Sequence, residues 1–389
     1  MSDSAPFRAI RRARTAVLLG LCLGLLSPLI HAQRAEPIHH EVPPPSYTVQ
    51  SGDTLASISQ AMGVPVQEWA QVASYNQLLR NLQVPAPGTV LRVPLQLLPH
   101  KPATALLIQT VGEVRVNGRI VEAGIRLRES TRIQTRNDSS AVIELDDGSR
   151  IQIMPRTVAD IVENRHHPAP DAASGRIVNW FASKLRLVQG ALDSSIDLIA
   201  PRAKPLEVET ADSLIGVRGT QFRVTSAQAQ PDRIEVLRGA VSHTDRKSRT
   251  ELALQAGEGL VMDAAQPEAR QVSRLLPAPQ LGSQTTTLSL PQAIWSFPAQ
   301  ADAYAYRVIV SRDPGFETVV SSELLQLPHK DMGSLGDGLW HVRVRSVDRH
   351  GLEGFDADTS LLVQAAPLSL SRCMWRAAGN RYCNGALCC

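Results

Sequence analysis

Between Leu23 and Arg372 the chain has no cysteine; Cys373, Cys383, Cys388 and Cys389 crowd the far end. Disulfides therefore cannot brace the main body, and a cysteine nucleophile is excluded from it. Aromatic residues are only 4% of the 389, so the cores must rest on Val, Leu, Ile and Ala. Excess charge is also missing. The formal net charge is +3, and residues 1–32 account for it with Arg8, Arg11, Arg12 and Arg14 against Asp3. The remainder is neutral and carries no basic footprint for nucleic acid. No Gly-x-Ser-x-Gly, His-x-His or His-Glu-x-x-His stretch occurs, so no catalytic set, metal or cofactor is expected. His166 and His167 are adjacent and cannot share a metal on regular structure; they read as a solvated pair in a loop from His166 to Ser174. Two carboxylates would suffice for a glycosidase, but nothing in the β-rich body suggests such a cleft.

What is present begins with an export pattern. Arginines precede the apolar run Ala16–Leu26, and Ile30 and Ala32 occupy the minus-three and minus-one positions of a cleavage site after residue 32. The run is short for a membrane span of about 20 residues. This predicts delivery to the periplasm, with an uncleaved membrane anchor as the alternative. Residues 33–46, with Pro37, Pro43, Pro44 and Pro45, read as an extended linker.

The chain then divides by hydrophobic period into three bodies, which predicts a multidomain, mainly β protein. Residues 47–95 read as a small α+β (βααβ) module. Tyr47–Gln50 is a short strand, and Asp53 is placed to cap a helix from Thr54 to Met62 with Leu55, Ile58 and Met62 as its apolar stripe. Gly63 stops that helix, and Pro65 starts a second with Trp69, Val72 and Ala73 inward; Val90–Val93 is the closing strand. Residues 105–263 alternate with period two between Gly, Asp and Asn turns, as an all-β roll or solenoid-like sheet would. Its clearest hairpin is Ala141–Ile153, where Asp147-Gly148 suits a type I′ turn. A motif recurs at Gly112, Gly190 and Gly239 with apolar flanks, which suggests strands bending at glycine. The helix candidate in this body is Val178–Leu187. Residues 274–289, with Pro277, Pro279 and three consecutive threonines, read as a second linker, and residues 291–365 as a small β-sandwich with Trp295 on an early strand. From residue 366 to 389 the composition changes abruptly; a small disulfide knot and a disordered or aberrant terminus both remain open.

Three resemblances follow. Tyr47-Thr48-Val49, Gly52-Asp53-Thr54-Leu55, Ile58, Asn76 and Pro87-Gly88 through Pro94 resemble the LysM domain, a module that binds N-acetylglucosamine polymers. The resemblance implies one glycan-binding wall at Gly52, Asp53, Thr54 and Leu55. A second maps to Asn81, Leu82, Gln83 and Val84, although the segment after Asn76 is longer than the family pattern. Thr135–Pro155, Val217-Arg218-Gly219-Thr220-Gln221-Phe222 and Leu254–Gly259 resemble the FecR domain, the periplasmic sensing part of certain anti-sigma regulators. Only about 15 residues precede the apolar run, too few to fold into a sigma-binding domain, so that regulatory role is not expected to transfer. Trp295, Tyr304–Val308 and Trp340–Arg345 resemble a fibronectin type III domain, a spacer or protein-contact module. The expected protein is thus a non-enzymatic, exported peptidoglycan-binding protein whose other modules scaffold or bind an envelope partner. The rival is a periplasmic sensor in which the FecR-like body takes the ligand or partner and the wall contact positions it.

Overall fold

A computed structural model describes residues 45–78, 84–171, 176–196, 202–228, 230–262, 271–291 and 293–365. The export segment, most of the first linker and the cysteine-rich tail lie outside them. The architecture is mainly β: a small α+β region, one large mixed sheet, and a separate C-terminal sheet of five strands.

The α+β region runs β1 (Ser46–Thr48), α1 (Leu55–Met62), α2 (Trp69–Tyr75) and β2 (Val90–Arg92). β1 and β2 pair antiparallel, Tyr47 opposite Leu91. Ile58 and Met62 of α1 and Trp69, Val72 and Ala73 of α2 are buried, as their spacing predicts. A short 3₁₀ turn, Val66–Glu68, separates Pro65 from α2.

The large sheet extends from Lys101 to Arg274 around one continuous apolar core that includes Leu107, Ile143, Phe181, Val217 and Val236. Its central strands are longer than the short alternating strands the sequence suggests, notably Val158–Pro170, Ile177–Ser195, Ser213–Ala227 and Gln230–Asp245. Bulges bend them at the recurring glycine motifs. Gly190 sits at φ 100°, and a Cβ there would collide with Thr157, whose Oγ1 accepts from Ala191 N at 3.0 Å.

Four local expectations are corrected. The Val178–Leu187 helix is instead part of the strand Ile177–Ser195. Phe181, Leu185 and Leu187 face the main core while Val178 and Trp180 face the α+β region, so both faces are covered. Because the apolar residues change face between Trp180 and Phe181, Val178, Phe181, Ala182 and Leu185 fall at helical spacing, which periodicity alone cannot separate from a helix. The loop expected at His166–Ser174 is strand through Pro170, with His167 opposite Trp180. Prolines 168 and 170 are tolerated because this end of the strand lies past the short pairing of Arg165 and His166 with Lys101–Pro102 and forms an edge. The hairpin turn is not type I′: Gly148 has φ 83° but Asp147 does not go positive. Gly148 N donates to Leu145 O and Leu145 N to Ser149 O, the three-residue loop with a glycine bulge. Finally, the threonines of the second linker begin a strand, Thr286–Leu290, which pairs parallel with Ala357–Ala365; a partner some seventy residues away leaves no local trace.

The C-terminal sheet continues through Gly338–Val347, Ala305–Ser311 and Val319–Leu325. Trp295 and Phe297, with the short pair Ile294–Ser296 and His329–Asp331, help form its core.

Candidate functional site

The turn between β1 and α1 is built around one carboxylate. Asp53 Oδ2 accepts from the Tyr47 hydroxyl at 2.9 Å and from Gln50 N at 2.7 Å, and Oδ1 accepts from Ser57 Oγ at 3.1 Å. The Gln50 N–H, chiefly, holds Asp53 below the usual carboxylate range, and partial burial followed by the Asp53 contact raises the Tyr47 hydroxyl. Asp53 therefore staples the turn and does not cap the helix, contrary to expectation. Capping falls to Thr54. Its Oγ1 accepts from Ser57 N at 3.1 Å while Ser57 Oγ accepts from Thr54 N at 2.9 Å, a reciprocal box. By helix geometry the N–H groups of Leu55 and Ala56 have no intrahelical acceptor.

Gly52 lies in the same turn at φ 87° with open space where a Cβ would project, so its backbone faces outward unobstructed. Thr54 is exposed and Leu55 half-buried. The four residues of the first predicted wall thus form one continuous rim: an exposed glycine backbone, a fixed acid, a capped helix start and an apolar side chain. An N-acetyl group needs one donor, one acceptor and an apolar floor in fixed geometry. Such a rim provides backbone donors and acceptors already ordered by the Asp53 and Thr54 bonds.

The second predicted wall is described only in part. Asn81, Leu82 and Gln83 lie outside the described residues; Val84 is 42% exposed. From Val84 the chain returns alongside the turn, where Gly88 N donates to Val49 O at 2.8 Å and Val49 N to Thr89 O at 2.9 Å. Asn76, part of the motif, is structural. Its amide donates to Val72 O and Arg92 O and accepts from Arg92 N, locking the end of α2 to β2.

Residues 47–94 match the LysM domain model. This segment is a LysM domain. Residues 131–242 match the model for the FecR protein family and form a FecR domain within the large sheet. Both are typically non-catalytic binding or regulatory modules. No curated protein matches the chain. Two solved structures of a candidate anti-sigma factor from Parabacteroides distasonis are similar at 16% and 14% identity, covering 37% and 38% of this chain and 59% and 68% of theirs, each with a TM-score of 0.28. The extracellular domain of a candidate one-component system from B. thetaiotaomicron is 8% identical, covering 67% of this chain and 57% of that one, with a TM-score of 0.17.

The LysM domain is not a free bead on a tether. Its core, including Met62, Trp69 and Leu91, continues into Ala169 and Trp180 at the end of the long FecR-sheet hairpin. Trp180 is 3% exposed and donates through Nε1 to Ala169 O at 3.2 Å. The Gly52–Asp53 turn lies at the N-terminus of α1, whereas Ile58 and Met62 on the same helix face this shared core. Sequence reasoning missed this junction, although Val178-Asn179-Trp180 carried a signal: an alternation opposite in phase to Phe181, Leu185 and Leu187.

A serine–histidine hydrogen bond does occur, His243 Nε2 to Ser213 Oγ at 3.1 Å, but both residues are wholly buried. It joins neighbouring strands inside the sheet and is closed to substrate. Among the described residues no group of three or more acidic, histidine or cysteine side chains is arranged to hold a metal, and no helix is long and apolar enough to cross a membrane.

Proposed function

We propose that the chain is a non-catalytic, exported protein of the periplasm that holds peptidoglycan through its LysM domain. In this reading N-acetylglucosamine glycan lies against Gly52, Asp53, Thr54 and Leu55, with Asn81, Leu82, Gln83 and Val84 opposite. The observation that carries it is the turn itself: Asp53 and Thr54 spend their polar side chains on ordering the backbone, while Gly52 stays bare and exposed. A single module gives modest affinity, without avidity from a second copy. The FecR domain and the C-terminal sheet, whose strands resemble a fibronectin type III module, then serve as surfaces for an envelope partner.

Retention on purified sacculi tests the reading. Deleting residues 47–95 would uncover Trp180, so point substitutions are cleaner. Gly52→Val forces a β-branched residue into φ 87° and should abolish retention while leaving the folded core. Wild-type retention by both Gly52→Val and Leu55→Asp would sink the proposal.

The shared core at Trp180 favours a second reading, in which the FecR domain is a sensor whose wall contact fixes its position. Capture of an envelope protein that depends on the FecR surface, and persists in Gly52→Val, would favour it.

A further inference from the structure

The C-terminal sheet meets the large sheet through an apolar cluster of Met154, Ile309, Phe316 and Val319 and, beside it, through charge. Arg307 and Arg345 are cross-strand partners on the face turned away from its own core and toward the large sheet, and the following turn supplies Glu353 and Asp356. Arg345 reaches Asp193 of the large sheet at 2.6 Å, Asp356 at 2.6 Å and Glu353 at 3.1 Å; Arg307 holds Glu353 at 2.8 Å. These carboxylates are well supplied with cations, and the arginines around Glu353 hold it far below its ordinary range against the opposing effect of burial.

Two buried neighbours are treated differently. Arg223 and Glu235 face each other across adjacent strands, the register at which an acid and a base ordinarily pair. They do not. Arg223 is drawn away to the carbonyl oxygens of Gly354 at 2.7 Å and Glu353 at 3.3 Å, and its Nη1 forms ion pairs with the carboxylates of Glu353 at 3.5 Å and Asp356 at 3.9 Å. Glu235 is 1% exposed, accepts from Glu353 N at 3.2 Å and forms no ion pair with a described residue. Burial pushes its carboxyl up to about 7. Both residues line a cavity of about 440 Å³ between the two sheets, within the range of small-molecule sites. At its wall stands Arg156, exposed and without a carboxylate partner among the described residues.

We propose that this cleft binds a small zwitterion, an amino acid or short peptide, with its ammonium on Glu235 and its carboxylate toward Arg156. A buried carboxylate with no cation within ion-pair distance is costly, since the charges of Arg223 and Arg233 reach Glu235 only from farther away. A ligand ammonium supplies that cation, and a carboxylate on the same ligand gives Arg156 its partner. Because the cleft is bounded by both sheets, an occupant would also bear on how the C-terminal sheet is held against the FecR domain. This site is separate from the LysM turn, so its failure leaves the glycan reading intact.

Isothermal titration of the full chain with alanine and with alanyl-alanine distinguishes a free amino acid from a peptide. N-acetylalanine, which lacks the ammonium, is the control. At least one zwitterion should bind, N-acetylalanine should not, and Glu235→Gln should weaken binding by about tenfold or more, as expected for loss of a charge-assisted hydrogen bond. Arg156→Ala, at an exposed position, should weaken it severalfold without touching the buried network. Ala227→Trp, at the cavity lining, should block it. Absence of binding by both zwitterions at millimolar concentration would overturn the proposal. So would binding equally strong for N-acetylalanine, or unchanged in all three variants.

Discussion

Arg202 and Asp147 form an ion pair with both side chains only 1% exposed. Asp147 lies in the tight turn of the FecR-domain hairpin and also accepts from Ser149 N and Oγ; Arg202 donates to Ser149 Oγ and Ser183 Oγ and lies over the Phe181 ring at 5.1 Å. A loop on one side of the sheet is thereby pinned to the strand carrying Phe181. Removing one partner would leave a charge buried without compensation. Arg202→Ala should lower the unfolding free energy by roughly 3–5 kcal/mol, read from the urea midpoint. Arg202→Met combined with Asp147→Asn should recover much of that loss, and a single variant as stable as wild type would show that water replaces the missing partner.

Trp180 serves two domains. Trp180→Ala should cost about 3–5 kcal/mol and, more tellingly, should loosen the LysM domain from the hairpin. Amide exchange in α1 and α2 would then rise relative to the strands around Val217 and Val236. Uniform acceleration across both regions would show that the junction is not a separate unit of stability.

His167 gives the stability a pH dependence. It is 4% exposed, neither ring nitrogen has a hydrogen-bond partner, and burial, aided by nearby His100, depresses it from 6.5 to about 4. The unfolded chain thus takes up this proton first. The stability contributed by neutral His167 is complete above about pH 6.5 and is lost as pH falls through 4, a change on the order of 3 kcal/mol. The difference in melting temperature between pH 7 and pH 4 should shrink in His167→Phe. An unchanged difference would assign the acid sensitivity elsewhere.

Thr54 caps α1 within the proposed glycan-binding wall. Thr54→Ala should cost about 1 kcal/mol and weaken sacculus retention, because Ser57 N loses its acceptor and the rim loosens. Thr54→Ser keeps the hydroxyl and should retain both stability and binding. A stable Thr54→Ala that still binds fully would leave the cap with no role in recognition.

Much of the LysM turn was legible from residues alone. Gly52 and the apolar spacing of Ile58, Met62, Trp69 and Val72 are local features, and local features write themselves into sequence. The assignment of the cap to Asp53 failed because Asp and Thr both cap well; the choice depended on Tyr47, six residues away, claiming the carboxylate. Arg345 shows a different limit. It alternates with Val342 and Val344 as an outward residue of a strand should, and only Asp193 of the large sheet, with Glu353 and Asp356, makes that outer face buried.

The sequence by itself determined the mainly β composition, the α1 and α2 stripes, the cysteine-free body and the placement of LysM and FecR motifs, since each depends on period, turn chemistry or residue type. Tertiary structure alone decided that the 178–187 run is a strand, that Trp180 joins the LysM core, and that Arg223 pairs with Glu353 and Asp356 instead of with Glu235 opposite it. Those outcomes depend on which distant surface covers a given face, and a chain read residue by residue does not contain its own neighbours.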